Sequence, residues 1–182
     1  MRVIAGEFRG RRLASARAKG LRPTADRVRE ALFSILGSDV DEARVLDLYA
    51  GTGALALEAV SRGAASAVCV ERSAGALAAL ERNVRDLRLE DRVTIERGDA
   101  LVYARSLRGY TDRFDVVFCD PPYVDPLEPL LEGVVGQGWW TRAAVVEHAS
   151  SRHPAAPPGT EVDTRRYGDT GVSIFRRAEA TP

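Results

Sequence analysis

The chain has 182 residues, about the length of one domain, and a chain of this length buries a sizeable core without crosslinks or metals. Hydrophobic residues make up 45% of the sequence and charged residues 29%, which excludes a disordered or collagen-like protein. Two cysteines are too few for a disulfide framework, and no apolar run approaches the roughly 18 residues of a membrane-spanning helix, which excludes a membrane protein.

The formal net charge is zero, but the charges are unevenly placed. Residues 1–36 contain nine basic and three acidic side chains, whereas the rest of the chain holds 17 basic and 23 acidic ones. Such asymmetry predicts a segment that binds a polyanion, although a solvated surface without a partner would look the same. Charges also interrupt any apolar signal segment near the start, so we expect a cytoplasmic protein.

The first 36 residues predict a hairpin followed by a helix. Residues 2–8 alternate loosely, and a glycine-bearing turn separates them from residues 11–13, which is typical of a β-hairpin. Thr24 is suited to cap a helix whose apolar residues recur at helical spacing as far as Leu36, and Gly37 ends it.

From residue 44 onward, short apolar strands alternate with helical patterns. Strands are predicted over 45–49, 67–70, 92–96, 114–119 and 143–148, with a closing hairpin over 161–167 and 172–176. Helices are predicted over 54–62, over 74–87 with Ser73 as the cap, and from the Asp125-Pro126 pair to about 136. This alternation implies an α/β, Rossmann-like fold: a mostly parallel seven-stranded sheet with helices on both faces and an N-terminal β-hairpin extension.

A glycine loop follows the first of these strands. Its residues are Asp47-Leu-Tyr-Ala-Gly51-Thr-Gly53, and the glycines let the backbone approach a ligand at the start of the next helix. Glu71 lies 20 residues after Gly51, at the end of the second strand, where a carboxylate can accept both hydroxyls of a ribose. The combination predicts a nucleoside-cofactor pocket, with a tight turn and a capping glutamate as the alternative.

The glycine loop alone does not decide which cofactor binds. Residues 51–56 formally match the dinucleotide fingerprint, so NAD has to be weighed. Asp47 argues against NAD, because a buried acid repels a pyrophosphate and favours a cationic ligand such as S-adenosylmethionine. Asp99 follows the third strand and can accept a hydrogen bond from the adenine amino group, although a turn residue after Gly98 would give the same sequence.

The tetrapeptide Asp120-Pro121-Pro122-Tyr123 follows the fourth strand. Two prolines fix the backbone and remove two N–H donors, so Asp120 and the carbonyl of Pro121 can accept both hydrogens of one exocyclic amino group. Tyr123 offers a flat face on which the target base can stack. A rigid turn with a packing tyrosine is the alternative, but a position beside an adenosyl pocket favours a catalytic site.

In this order, the motifs resemble those of class I S-adenosylmethionine-dependent amino methyltransferases. The N-terminal sequences over 2–6, 9–13 and 20–33, together with those over 46–55, 57–59 and 61–63, are similar to the bacterial RsmD family. That family methylates the N2 amino group of one guanine in 16S rRNA. Tyr49, Thr52 and Ala56 stand where the family often has Phe, Ser and Gly, and these departures leave the chemistry intact.

The resemblance implies S-adenosyl-L-methionine as the cofactor, no metal, and 16S rRNA, free or in the small ribosomal subunit, as the partner of a monomeric enzyme. It implies an RNA-binding arm over 1–22 and a methyltransferase domain over 23–182. The implied cofactor residues are Asp47, Tyr49, Gly51, Gly53, Glu71, Arg72, Asp99 and Ala100. The implied catalytic residues are Asp120, Pro121, Pro122 and Tyr123, and the implied RNA-binding residues are Arg9, Arg11, Arg12, Arg22 and Arg27.

Three other functions share parts of these motifs. A DNA adenine-N6 methyltransferase has the same tetrapeptide and pocket, but it normally needs a larger recognition domain, for which 182 residues barely leave room. A non-enzymatic RNA-binding module could keep the fold, although the intact tetrapeptide argues against it. An NAD oxidoreductase would bind a nicotinamide cofactor instead of a methyl donor.

Overall fold

Seven strands form one sheet in the order β3-β2-β1-β4-β5-β7-β6. The computed structural model describes residues 1–15, 23–111 and 113–178. The strands are β1 (Arg44–Leu48), β2 (Ser66–Glu71), β3 (Val93–Arg97), β4 (Phe114–Cys119), β5 (Trp140–Ala149), β6 (Thr160–Tyr167) and β7 (Thr170–Arg177). Strands β1 to β5 pair in parallel, and β7 pairs antiparallel with both β5 and β6. The prediction of a mostly parallel seven-stranded sheet is confirmed.

The helices cover both faces of this sheet, as predicted. They are α1 (Pro23–Leu36) with a 3-10 turn (Gly37–Val40), α2 (Ala54–Ser61), α3 (Ala74–Leu87), α4 (Ala100–Ser106) and α5 (Glu128–Leu130) with a π-helical turn (Leu131–Val135). Strand β4 is buried along its whole length, and its sequence is apolar except for Asp115 rather than alternating. One core cluster includes Leu36, Leu57 and Leu80 from α1 to α3, and the other includes Leu107 and Leu130 on the opposite face.

Three helices differ clearly from the sequence predictions. Helix α1 begins at Pro23, ahead of the predicted cap Thr24, because proline lacks the N–H that the first helical position leaves unused. Helix α4 was not predicted, since its seven residues are too few to show a helical period. The predicted Asp125-Pro126 cap is wrong: the N–H of Asp125 closes a turn onto the carbonyl of Pro122, and α5 begins only at Glu128.

The N-terminal segment, residues 1–15, is a loop packed against the body. The predicted hairpin is reduced to one antiparallel bridge between Arg2 and Arg12, while Val3 and Leu13 are buried in the core. Residues 16–22, which include the predicted RNA contact Arg22, lie outside the described residues. Among the described helices, none has the length and apolar composition that crossing a bilayer requires.

Helix α2 anchors this segment through the side chain of Glu58 and a close approach at the backbone of Ser61. The carboxylate of Glu58, only 1% exposed, accepts the N–H groups of Ile4 at 2.7 Å and Ala5 at 3.0 Å. A Cβ at Gly6 would lie 1.7 Å from the carbonyl oxygen of Ser61, so only glycine allows this close approach. The segment is therefore fixed to the helix that begins at the glycine loop.

Candidate active site

A cavity of about 470 Å³ opens at the carboxyl edge of the sheet, where ligands of such folds bind. Five of the predicted cofactor residues line it: Tyr49, Glu71, Arg72, Asp99 and Ala100. The predicted catalytic residues Asp120, Pro121, Pro122 and Tyr123 line it too. Strand β5 adds Glu147, which the sequence analysis did not single out. Asp47, Gly51 and Gly53 are not among the residues that line the cavity.

The glycine loop has a backbone that only certain residues tolerate. Gly53 has a φ of 84°, and a Cβ there would come within 2.4 Å of the Leu80 side chain. Tyr49 adopts a φ of 69°, which is uncommon for a side chain of this size and is a form of strain often found at functional sites. Asn83 on α3 donates from its side chain to the carbonyls of Thr52, at 2.9 Å, and Ala14, at 3.1 Å. This amide ties the N-terminal segment to the glycine loop.

Asp47 lies beneath the loop instead of in the cavity. It is 1% exposed, and its Oδ2 accepts the N–H of Ala56 in the first turn of α2 at 3.1 Å. Burial raises the pKa of Asp47 to about 8, although the hydrogen bond from Ala56 opposes the shift, and Asp120 and Glu71 add repulsion. Asp47 therefore holds α2 against β1, and its charge state responds to any charge placed in the cavity.

Glu71 is held by three backbone N–H groups. Its Oε2 accepts from Gly51 at 2.8 Å, and its Oε1 accepts from Arg72 at 2.8 Å and Ser73 at 2.7 Å. Ser73 occupies the cap position of α3, but its side chain makes no capping hydrogen bond. Each carboxylate oxygen has further lone pairs, so the fixed carboxylate can still accept ribose hydroxyls.

Asp99 caps a helix and also lines the cavity. Its Oδ1 caps α4 by accepting the N–H groups of Leu101 at 3.0 Å and Val102 at 3.1 Å, and it also lines the cavity. Its Oδ2 lies 3.4 Å from the guanidinium of Arg72, which closes the same side of the cavity. Capping a helix therefore does not prevent Asp99 from facing the cavity, and its contact with a cofactor stays a prediction.

Asp120 and Tyr123 form the opposite wall. Protein atoms surround the Asp120 carboxyl although solvent reaches it through the open cavity, and this burial, together with repulsion from Glu147, raises its pKa to about 7. The Tyr123 hydroxyl donates to Glu147 Oε1 at 2.8 Å and lies 2.9 Å from the hydroxyl of Thr170. The tyrosine ring is therefore fixed by its far end while part of it remains exposed.

Glu147 is the residue of this site that sequence reasoning missed. It lies near the carboxyl end of β5, directly after a buried apolar run. The same signal, an acid at the carboxyl end of an apolar strand, singled out Glu71. Glu147 instead falls inside the predicted strand 143–148 rather than after its end, so the signal is less clear there.

The predicted RNA-binding arginines do not form one cluster. Arg9 and Arg27 line a groove of about 430 Å³ together with Arg2, and the acidic Asp26 and Glu30 line it as well. Arg11, by contrast, reaches α3, where its guanidinium donates to the carbonyl of Asp86 at 2.6 Å. Arg12 is exposed beside the backbone bridge.

The sheet order β3-β2-β1-β4-β5-β7-β6, with β7 antiparallel, is typical of class I methyltransferases, and the cavity opens at the carboxyl edge where such proteins bind their ligands. The family model described as "Conserved hypothetical protein 95" matches residues 1–176. The chain is 34% identical to the putative rRNA methyltransferase YlbH of Bacillus subtilis over 185 residues, covering 97% of this chain and 99% of the relative. It is 35% identical to ribosomal RNA small subunit methyltransferase D of Escherichia coli over 151 residues, covering 80% of this chain and 72% of the relative.

A solved structure agrees with these sequence matches. The structure of the putative methyltransferase yhhF of Escherichia coli superimposes with a TM-score of 0.85 at 31% identity, covering 99% of both chains. The chain therefore belongs to the RsmD family.

Proposed function

We propose that this protein transfers a methyl group from S-adenosylmethionine to the N2 amino group of a specific guanine in 16S rRNA. The observation that carries the proposal is that Asp120, Pro121 and Tyr123 share one cavity with the predicted cofactor residues. The names of two relatives support an RNA substrate, and one of those names specifies the small ribosomal subunit. The enzyme acts as a monomer in the cytoplasm, on free rRNA or on the subunit.

The acids around the cavity suit this cofactor. S-adenosylmethionine, when bound, supplies a methyl group carried on a positively charged sulfur. Glu71 provides acceptors for ribose hydroxyls, and Asp99 provides one for the adenine amino group. Asp47 lies behind the glycine loop with a pKa of about 8, so a cation bound in the cavity would favour its ionised form, which a pyrophosphate would oppose.

Asp120 and Pro121 prepare the nucleophile. The lone pair of a guanine amino group is delocalised into the ring, so the free amine is a poor nucleophile. When the Asp120 carboxylate and the Pro121 carbonyl accept both of its hydrogens, the nitrogen becomes more pyramidal and its lone pair points at the methyl carbon. The N–C bond forms as the C–S bond breaks, the bonding pair stays on sulfur, and N2 loses a proton. Asp120, with its pKa near 7, can receive that proton.

Tyr123 holds the target base in the plane this reaction needs. Because its hydroxyl contacts Glu147 and Thr170, the ring cannot turn freely, and its exposed face is ready for stacking. A base flipped out of an RNA helix gains stacking energy on such a ring. Orientation of this kind supplies a large part of the rate of a displacement reaction.

The N-terminal part of the chain, residues 1–22, binds the rRNA backbone in this proposal. Arginine forks pair well with phosphates, and the groove lined by Arg2, Arg9 and Arg27 offers three of them. Arg11, whose guanidinium lies against α3, and the exposed Arg12 add basic groups outside this groove.

The test is to map methylated nucleosides in 16S rRNA from cells with and without the protein, together with methyl transfer by the purified enzyme. We expect one N2-methylguanine in 16S rRNA from cells that contain the protein and an unmodified guanine at that position in cells that lack it. The purified enzyme should restore the methyl group on the unmodified rRNA. Methylation of adenine in DNA, or binding of NAD with no methyl transfer, would contradict it.

A further inference from the structure

The carboxylates of Asp120 and Glu147 lie side by side on the wall of the cavity that also carries Tyr123, which we call the substrate wall. The register of the sheet pairs Cys119 with Val146, so Asp120 and Glu147, one residue further on each strand, are neighbours at the carboxyl edge. Both line the cavity. Among the described residues, neither has a salt bridge to a cation. Glu147 uses Oε1 to accept from Tyr123, and its Oε2 receives no hydrogen bond from that part of the chain.

Two neighbouring carboxylates that are both ionised repel each other, so this arrangement is unfavourable in the free protein. Burial raises the pKa of both carboxyls, and the repulsion between them adds to the shift of Asp120. A ligand that brings several adjacent N–H donors relieves this, since hydrogen bonds to carboxylates are among the stronger ones in proteins. The substrate wall is therefore suited to bind a base edge that carries several adjacent N–H donors.

Among the amino-bearing bases of RNA, guanine presents such an edge. Its N1–H and its N2 amino group place three hydrogens next to one another. Adenine and cytosine instead carry an acceptor nitrogen beside their amino group, and an acceptor facing a carboxylate is repelled. Enzymes that act on a flipped base commonly select it through hydrogen bonds to this edge.

We propose that Glu147 is a specificity-determining residue whose second oxygen accepts the N1–H of the target guanine, while Asp120 and Pro121 hold its N2 amino group. The inference rests on the proposed function and names the group that selects the base. Glu147 is not needed merely to hold the ring of Tyr123, because the hydroxyl of Thr170 also contacts the tyrosine hydroxyl, at 2.9 Å.

The experiment compares two 16S rRNAs, prepared by splinted ligation, that carry guanine or 2-aminopurine at the target position. 2-Aminopurine keeps the 2-amino group but has an acceptor at N1. In single-turnover methyl transfer, the wild-type enzyme should favour guanine about 10- to 150-fold, the value of one hydrogen bond to a charged acceptor. Glu147→Gln can donate to the N1 of 2-aminopurine, so its preference should fall to about threefold or less, or reverse.

Tyr123→Phe is the control that separates base selection from ring positioning. It removes the bond to Glu147 but keeps the aromatic face, so it should slow transfer to both bases alike and retain the preference for guanine. Calorimetry with S-adenosylmethionine and thermal unfolding verify that both variants fold.

Equal rates of the wild-type enzyme on the two RNAs would overturn the inference without any variant. An unchanged preference in Glu147→Gln would overturn it as well, and an equal loss of preference in Tyr123→Phe would assign the effect to the ring. If the wild-type enzyme methylates neither RNA, the proposed function itself fails.

Discussion

The two walls of the cavity differ in how far the protein satisfies its own carboxylates. On the cofactor side, Glu71 accepts three backbone N–H groups and Asp99 accepts two. On the substrate side, Asp120 receives no hydrogen bond within the described part of the chain, and Glu147 receives one, from Tyr123. The wall that we propose for the cofactor is thus hydrogen-bonded within the protein, whereas the acceptors of the proposed substrate wall remain open to a ligand.

This contrast predicts the largest effect for Asp120→Ala. Since Asp120 supports nothing else in the described structure, the variant should fold and bind S-adenosylmethionine normally but turn over about 10- to 150-fold more slowly. Asp125→Ala in the same loop is the matched control, because only its backbone groups make hydrogen bonds there. Single-turnover rates measure the effect, and a near-normal rate for Asp120→Ala would exclude the amine-holding role.

Unlike Asp120→Ala, the variant Glu71→Ala should impair both folding stability and cofactor binding. Loss of the acceptor for three N–H groups should loosen the glycine loop, lower the free energy of unfolding by about 1–3 kcal/mol and weaken cofactor binding at least about tenfold. Glu81→Ala, on the exposed side of α3, provides the comparison. Denaturant unfolding and calorimetry measure the two effects, and normal values for both would mean that the cofactor wall is not preorganised by Glu71.

The buried acid Asp47, behind the glycine loop, should make the stability of the protein depend on pH. The pKa of Asp47 is about 8 in the folded protein, against an ordinary value of 3.8. Between these values the unfolded chain has lost a proton that the folded protein keeps, so stability falls as the pH rises from about 5 to 8. Asp47→Asn should make this decline less steep, which denaturant unfolding across the pH range can measure.

Asp115 serves as a control for Asp47, because its pKa is shifted in the opposite direction. Burial disfavours its charged form, but hydrogen bonds from Arg44 and Thr141 outweigh that effect and lower its pKa to about 2. Asp115 contributes stability above its ordinary pKa and loses it as the pH falls toward 2. Asp115→Asn should therefore lower stability without changing the slope between pH 5 and 8. An unchanged slope in Asp47→Asn would show that Asp47 is ionised in the free protein.

The smallest effect is expected at the basic surface. Reversing Arg11 and Arg12 to Glu should weaken RNA binding and flatten its salt dependence by about 0.7–0.9 in log–log slope for each phosphate that the arginines no longer bind. Arg165→Glu on the distant edge strand β6 is the control. Binding titrations at several salt concentrations measure the slope, and identical slopes would mean that the N-terminal arginines have only structural roles.

Local signals in the sequence predicted most of this architecture. The buried strand β4 is apolar except for Asp115, and the glycine loop, Glu71 and the tetrapeptide each lie at or directly after the end of a strand. Because parallel strands present their carboxyl ends at one edge, these residues could be placed together from the sequence. The prediction failed where a helix was too short to show a period, as in α4.

Other features depend on pairings between distant parts of the chain. Glu147 meets Asp120 only because β5 pairs with β4 in one particular register. The docking of residues 4–6 likewise depends on Glu58 and Ser61, more than 50 residues away. Such contacts arise from tertiary packing, which a single sequence does not reveal through periodicity.

The attachment of the first residues to α2 bears on how the chain can be divided. Without residues 1–15, the buried carboxylate of Glu58 would lack two of its donors, and the core would lack Val3 and Leu13. A chain shortened to begin at Pro23 would therefore expose apolar surface beside an underpaired charge. The N-terminal segment is thus a structural part of the catalytic unit, and any graft or truncation of the enzyme has to carry it along.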